Sequence, residues 1–202
     1  MNQKSHKIEQ ALNDFFDCYL KKNQEIEIYN ESSFQHELGI FLRSELADYK
    51  IQFERNIKYF EYDSKDKNEK KEIDIVICNK LDDSEKYAIE LKFANKTNGQ
   101  HPEKMFSFIK DIWFMETVKV RCKGFVQNYC VTLVEDELFY QKTLRNKHDG
   151  IYQYFRGGQK ISGQIEKPTG KDEAKFIINL QNSYQIEWRD LYDEKKFYIV
   201  KV

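Results

Sequence analysis

Two stretches decide the fold: EIDIVIC (72–78) and KYAIELKF (86–93). The first is a β-branched run with one acid, Asp74, set between Ile73 and Ile75. The second carries Glu90 and Lys92 among Ala88, Ile89, Leu91 and Phe93. Strand side chains alternate, so Glu90 and Lys92 share one face, roughly 6.6 Å apart along the strand. Tyr87, Ile89, Leu91 and Phe93 take the other face. The turn residues NKLDDSE (79–85) join the two strands as a hairpin. A charge in a buried strand is costly unless it is paired or bound to a metal. Three charged residues converging from adjacent strands therefore mark a candidate site.

Outward from this hairpin, the periodicity changes. Ile8, Ala11, Leu12, Phe15, Phe16, Tyr19 and Leu20 recur at helical spacing over 7–21. A second helix spans 32–48, with Ser32 or Ser33 as its N-cap and Phe34, Leu38, Phe41, Leu42 and Leu46 as its stripe. IQFERNIKYFEY (51–62) alternates as a strand, and DSKDKNEKK (63–71) reads as a solvated charged loop. Pro102 suits the first turn of a helix reaching about Val118, followed by a long strand over 124–134. KFIINL (175–180) and FYIVKV (197–202) are late strands. The pattern predicts one α/β domain over 1–202, with a central mixed sheet flanked by helices. Its core is about 32–134, and 142–171, with five of the eight glycines, is an extended excursion.

Composition excludes several classes. The formal charge is −1, so the chain as a whole is not basic. Fifteen Phe and thirteen Tyr can build a core, which argues against disorder. Cys18, Cys78, Cys122 and Cys130 have no CxxC spacing, and the four His show no metal-binding pattern, so a zinc site is not expected. The N-terminus lacks an apolar signal segment, and no run is long enough to span a membrane. A reducing cytoplasm with free thiols is the expected location.

Metal-assisted phosphodiester hydrolysis uses such a set of charges. Mg²⁺ or Mn²⁺ takes carboxylate and carbonyl oxygens. Asp74 and Glu90 would supply carboxylates, the Leu91 carbonyl a third oxygen, and Lys92 positive charge for the attacked phosphate. The alternative is a plain edge-strand salt bridge from Lys92 to Glu90 or Asp74.

Asp74 followed by Glu90-Leu91-Lys92, behind a helix carrying Glu37, resembles the PD-(D/E)XK nuclease superfamily, the restriction-endonuclease-like fold. The phrases FQHELGIFLR, FERNI, EIDIVI, YAIELKF and PEKMFSFIKDIWFME are similar to small bacterial members. Ile73 stands where the motif has proline. The resemblance covers roughly 32–134 and implies a Mg²⁺-dependent deoxyribonuclease. It maps Asp74 and Glu90 to metal ligands, Lys92 to the catalytic lysine and Glu37 to a helix-borne acid assisting the metal. Glu45, nearer the centre of the helix stripe, and Glu54 are further candidates. His36, His101 and His148 have no partner in sequence that points to catalysis. Resemblance also makes defence against foreign DNA an expectation.

The partner would be nucleic acid, DNA ahead of RNA. Residues 142–160 carry Lys142, Arg145, Lys147, Arg156 and Lys160 against Asp149, with Tyr152, Tyr154 and Phe155 interleaved. Lys and Arg there could contact phosphates and the aromatics could stack on bases. No separate recognition domain is visible, so a homodimer or a partner protein would supply specificity. A nucleic-acid-binding or assembly protein without turnover is the competing reading.

Overall fold

A computed structural model of the chain describes residues 3–62, 70–96, 99–141, 150–168 and 176–202. Helix α1 (Gln3–Asp14) runs into a wide π-helical turn (Phe15–Leu20). It is followed by α2 (Glu31–Glu45), β1 (Tyr49–Asn56), β2 (Glu72–Asn79), β3 (Lys86–Ala94), α3 (His101–Arg121) and β4 (Phe125–Val134). The rest comprises α4 (Tyr152–Phe155), β5 (Ile161–Glu166), β6 (Ile177–Tyr184), β7 (Arg189–Asp190) and β8 (Lys196–Lys201). The central sheet has six strands in the order β1-β2-β3-β4-β8-β7. The β3–β4 pair is parallel, crossed over by α3, and its neighbours are antiparallel. The expected central mixed sheet is present, and 72–78 and 86–93 pair as a hairpin.

Alternation divides the sheet into two faces. Ile75, Ile77, Tyr87, Ile89 and Leu91 pack under Phe34, Leu38 and Leu42 of α2 and the buried pair Phe15 and Phe16. Phe16 stacks on Phe197 with ring centroids 3.9 Å apart, tying the N-terminal helix to β8. Val76, Ala88 and Cys130 face the other way, toward Ile109, Ile112 and Met115 of α3. Asp74 and Glu90 belong to this α3 face by the same alternation.

Local departures from the sequence reading have physical causes. The N-cap of α2 is Asn30, not a serine. Asn30 accepts from Ser33 N at 2.7 Å, and Ser33 Oγ accepts from Asn30 N at 3.1 Å, forming a capping box. The strand expected to reach 62 ends at Asn56, whose side chain caps a 3₁₀ turn (Ile57–Phe60) that buries Ile57 and Phe60. KFIINL does not join the central sheet. Its strand β6 pairs with β5, drawn from the supposed excursion, as a separate two-stranded sheet. Ile161, Ile165, Ile178 and Leu180 bury that sheet against α3. Glu116 of α3 anchors it, accepting from Gln181 N at 2.9 Å, Asn182 N at 2.8 Å and the Tyr184 hydroxyl at 2.8 Å.

Asn128 couples β3, β4 and α3 at the centre of this layer. It is fully buried, accepts from Ala88 N at 3.1 Å and donates to the Met115 carbonyl at 2.9 Å. The β3–β4 register shifts between Lys86 and Tyr87, and the Asn128 amide fills the gap left in the ladder. Asn128→Leu keeps the volume but removes the acceptor of a buried N–H. Unfolding in urea should show a loss of about 1–3 kcal/mol. Unchanged stability would mean that Ala88 N–H has another acceptor.

Candidate active site

The hairpin ladder stops where the acids face each other. Pairing of β2 with β3 runs from Cys78↔Lys86 to Ile75↔Ile89 and goes no further, so Asp74 and Glu90 sit opposite one another just beyond the last pair. Side chains then replace the ladder. Leu91 N donates to Asp74 Oδ2 at 2.7 Å, and Asp74 N donates to Glu90 Oε1 at 3.3 Å. On the β1 side, Glu54 lies between the pairs Phe53↔Ile75 and Arg55↔Ile73 with a φ of 49°. The Asp74 carbonyl accepts instead from Gln35 Nε2 of α2 at 2.9 Å, and Gln35 also donates to Glu54 Oε1 at 2.6 Å. The strands part here, and the two carboxylates are buried in the opening, Glu90 at 1% exposure.

A lysine from the charged stretch fills that opening. Lys70 Nζ lies 2.9 Å from Asp74 Oδ1 and also donates to Glu90 Oε2. Burial pushes the Glu90 carboxyl well above its ordinary value, the Asp74 charge adds to this, and Lys70 opposes it. Burial pulls Lys70 down, but Glu90, Asp74 and Asp111 outweigh it and hold the ammonium above the usual lysine range.

Lys92 makes a second cluster on the same face. Its Nζ donates to the Leu91 carbonyl at 3.0 Å and to both carboxylate oxygens of Glu31 at 3.3 Å. Asp111 Oδ2 of α3 lies 3.3 Å away without hydrogen-bond alignment, and that buried oxygen has no hydrogen-bond partner among the described residues. Burial raises the Asp111 carboxyl to about 6, against the pull of Lys92 and Lys70. Burial lowers Lys92, but Asp111 and Glu31 outweigh it and the ammonium ends above its ordinary value.

The structure thus brings Asp74, Glu90, Leu91 and Lys92 to one face and corrects several other assignments. The edge-strand salt bridge takes a different form, because the partner of Asp74 and Glu90 is Lys70 rather than Lys92. Glu37 does not join the group. A helix turns about 100° per residue, so when Gln35 meets the sheet edge, Glu37 points away. Burial and then the Glu37 carboxylate hold the Tyr19 hydroxyl above its usual value. Glu45 is exposed beside Leu46 and α1 rather than central to the stripe. Glu54 is at the rim, bonded to Gln35. His101 pairs with Asp136 at 2.6 Å, away from the cluster.

Sequence reasoning missed Lys70, Gln35, Glu31 and Asp111. A signal for Asp111 was available. It sits three residues after Phe108 and four before Met115, on the buried stripe of its helix, where a lone acid needs a reason.

The basic stretch fits its assigned role less well. Arg145 and Lys147, with Lys142 and His148, lie outside the described residues. Arg156 donates from Nε to the Leu138 carbonyl at 2.8 Å and lies over the Tyr152 ring. Phe155 is buried against Phe108 and cannot stack on a base. Lys160 is exposed.

The donor set accommodates a hard divalent cation under one condition. Two carboxylate oxygens already converge on a single positive centre, and the Leu91 carbonyl accepts from a cation beside them. Asp74, Glu90, Asp111 and Glu31 outnumber Lys70 and Lys92 by a formal −2. The condition is that Lys70 withdraws. Among the described residues no three His, Cys, Asp or Glu side chains are grouped as metal ligands, so backbone oxygen and water would complete the sphere. No family model, no curated protein and no solved structure matches the chain.

Asp111 makes stability depend on pH in a defined direction. Its carboxyl is raised from 3.8 to about 6, so the folded state holds the proton more tightly than the unfolded state. Stability from this group is present below about pH 4 and is lost as pH rises toward 6. Asp111→Asn should remove that loss and narrow the difference in unfolding free energy between pH 4.5 and pH 7 by about 1–3 kcal/mol. A variant whose pH profile overlays the wild type would show that Asp111 titrates normally.

Proposed function

We propose that the chain is a metal-dependent nuclease that hydrolyses phosphodiester bonds of nucleic acid, DNA ahead of RNA. One observation carries this reading. Asp74 and Glu90 are buried opposite each other and aim their oxygens at one cation position, with Lys92 two residues further along the same strand. Asp74, Glu90 and the Leu91 carbonyl would hold Mg²⁺ or Mn²⁺. Such an ion lowers the pKa of bound water and offsets charge at the scissile phosphate.

The chain's own residues supply the rest. Lys92, steadied by Glu31 and the Leu91 carbonyl, places an ammonium beside the carboxylates to meet negative charge that grows as the phosphate is attacked. Gln35 fixes the Asp74 backbone and so aims its carboxylate. The parting of β2 and β3 at the acids, and the β3–α3–β4 crossover beside them, support the restriction-endonuclease-like form of the α/β fold. Under this reading a homodimer or partner protein adds sequence specificity, and cytoplasmic defence against foreign DNA is the biological setting.

Lys70 favours a second reading, a nucleic-acid-binding or assembly protein without turnover. Its ammonium already bridges both acids, as a permanent structural counter-ion would.

Two experiments separate these. Lys92→Ala should retain Mn²⁺ binding by calorimetry, yet cleave plasmid or single-stranded DNA about 10²–10³-fold more slowly. Asp74→Ala should lose both. Cleavage by Lys92→Ala at the wild-type rate would end its catalytic assignment, and no cleavage by the wild type of DNA or RNA with either metal would favour the binder. Separately, Lys70→Met should lower the melting temperature without metal and raise Mn²⁺ affinity at least about tenfold, near 1.4 kcal/mol. Weaker Mn²⁺ binding in that variant would make Lys70 a helper rather than a competitor.

A further inference from the structure

A cavity of about 390 Å³ opens on the sheet where β1 and β2 run past the 3₁₀ turn. Gln52 and Cys78 form its floor, and their side chains meet at 3.7 Å. Cys78, Val76 and Asp74 alternate onto one face of β2, so the cavity and the acid cluster share a side of the sheet. Phe60, buried against Phe125, forms part of its wall.

Its charge is lopsided. Among the described residues two carboxylates line it and both are taken: Asp83 by Lys86 at 2.9 Å and Glu61 by Lys123 at 2.8 Å. Three further cations, Lys50, Arg55 and Lys80, have no acidic partner among the described residues. Lys80 donates to the Ala47 carbonyl at 2.7 Å, a neutral group that leaves its charge uncompensated.

Arg55 is the most telling of the three. Its guanidinium lies 4.0 Å from the centre of the Tyr59 ring, and its Nε is buried with no acceptor among the described residues. A guanidinium lying over an aromatic ring is held in place while its fork of N–H groups can receive phosphate oxygens. Tyr59 is itself 68% exposed, which leaves ring surface open for a base. A volume of this size falls in the range of about 300–1,000 Å³ usual for small-ligand sites.

We propose that this cavity binds a nucleotide through its phosphate, with Arg55 and Lys50 on the phosphate and Tyr59 against the base. The nucleotide is either free or the phosphorylated end of a strand, and the chemistry is the same for both. The site does not depend on metal or on cleavage, so it stands or falls apart from the nuclease reading.

Calorimetry on the unaltered chain with a chelator and no divalent metal keeps the two ideas separate. The probes are deoxyadenosine monophosphate, inorganic phosphate, and one single-stranded oligonucleotide with a 5′-phosphate or a 5′-hydroxyl. The mononucleotide should bind and weaken with added salt. Arg55→Gln and, on the exposed rim, Lys50→Gln should each cut its affinity about tenfold or more. Tyr59→Ala should weaken the mononucleotide while leaving inorganic phosphate unchanged. A 5′-phosphorylated strand that displaces the mononucleotide, where the 5′-hydroxyl strand does not, identifies a strand end as the source. A mononucleotide displaced by neither strand identifies free nucleotide. Absence of mononucleotide binding, or equal binding in Arg55→Gln and Lys50→Gln variants that melt like the parent, would overturn the proposal.

Discussion

Two carboxylates buried face to face repel each other unless positive charge lies between them. Asp74 and Glu90 are in that position, and much of the local structure answers the problem they pose. The electrostatic cost of an isolated buried carboxylate is large, and breaking a buried pair by removing one member is strongly destabilising. Burial and the Asp74 charge push Glu90 toward its protonated form, and Lys70 pushes back. An arrangement this expensive adds little to stability compared with apolar side chains of similar size. The acids are therefore a cost that the fold bears rather than a support it gains, which is what the proposed metal site would require.

The backbone around them is adapted to the same end. An uninterrupted ladder would use the Asp74 N–H and C=O within the sheet. Here the N–H goes to Glu90, the C=O goes to Gln35, and Leu91 N–H goes to the Asp74 side chain. These three backbone groups thus remain bonded while the strands separate. The left-handed φ of Glu54, a non-glycine residue, marks the same point on β1. Strain, side-chain bonding and buried charge coincide within one pair of the register, and such coincidence is typical of sites rather than of scaffolding.

The hairpin, the long β4 strand and the flanking helices were legible because their apolar residues keep a strict period of two or 3.6. Asp74, Glu90 and Lys92 were legible as interruptions of that period. The remainder of the cluster was not, for separate reasons. Lys70 stands in a run of charges where nothing distinguishes it from its solvated neighbours; only the fold shows that its ammonium turns inward. Glu31 and Gln35 lie on the first turns of α2, and their role depends on how that helix crosses the sheet edge, which no local pattern encodes. Glu37 was favoured by resemblance, yet helical geometry sends it toward Tyr19. The segment around Phe155 was read as projecting because glycine flanks it, whereas Phe155, Ile161 and Ile165 bury against α3.

The division of the sheet into two faces explains how one small domain can carry this cluster. The α2 face is sealed by aliphatic and aromatic packing from β1 to β8, and the buried Glu85 carboxylate accepts there from the Tyr49 and Tyr87 hydroxyls. The larger cluster of buried charge lies on the α3 side, where Asp111 and Lys92 meet Asp74, Glu90 and Lys70. Close packing on one face keeps the strands in register. The other face can then hold carboxylates in an opening between strands, because the sheet does not depend on that face alone for cohesion. The basic cavity at Arg55 lies on this permissive side as well. The acid cluster and the basic cavity are therefore features of one sheet face, set by the alternation that placed Asp74, Val76 and Cys78 together along a single strand.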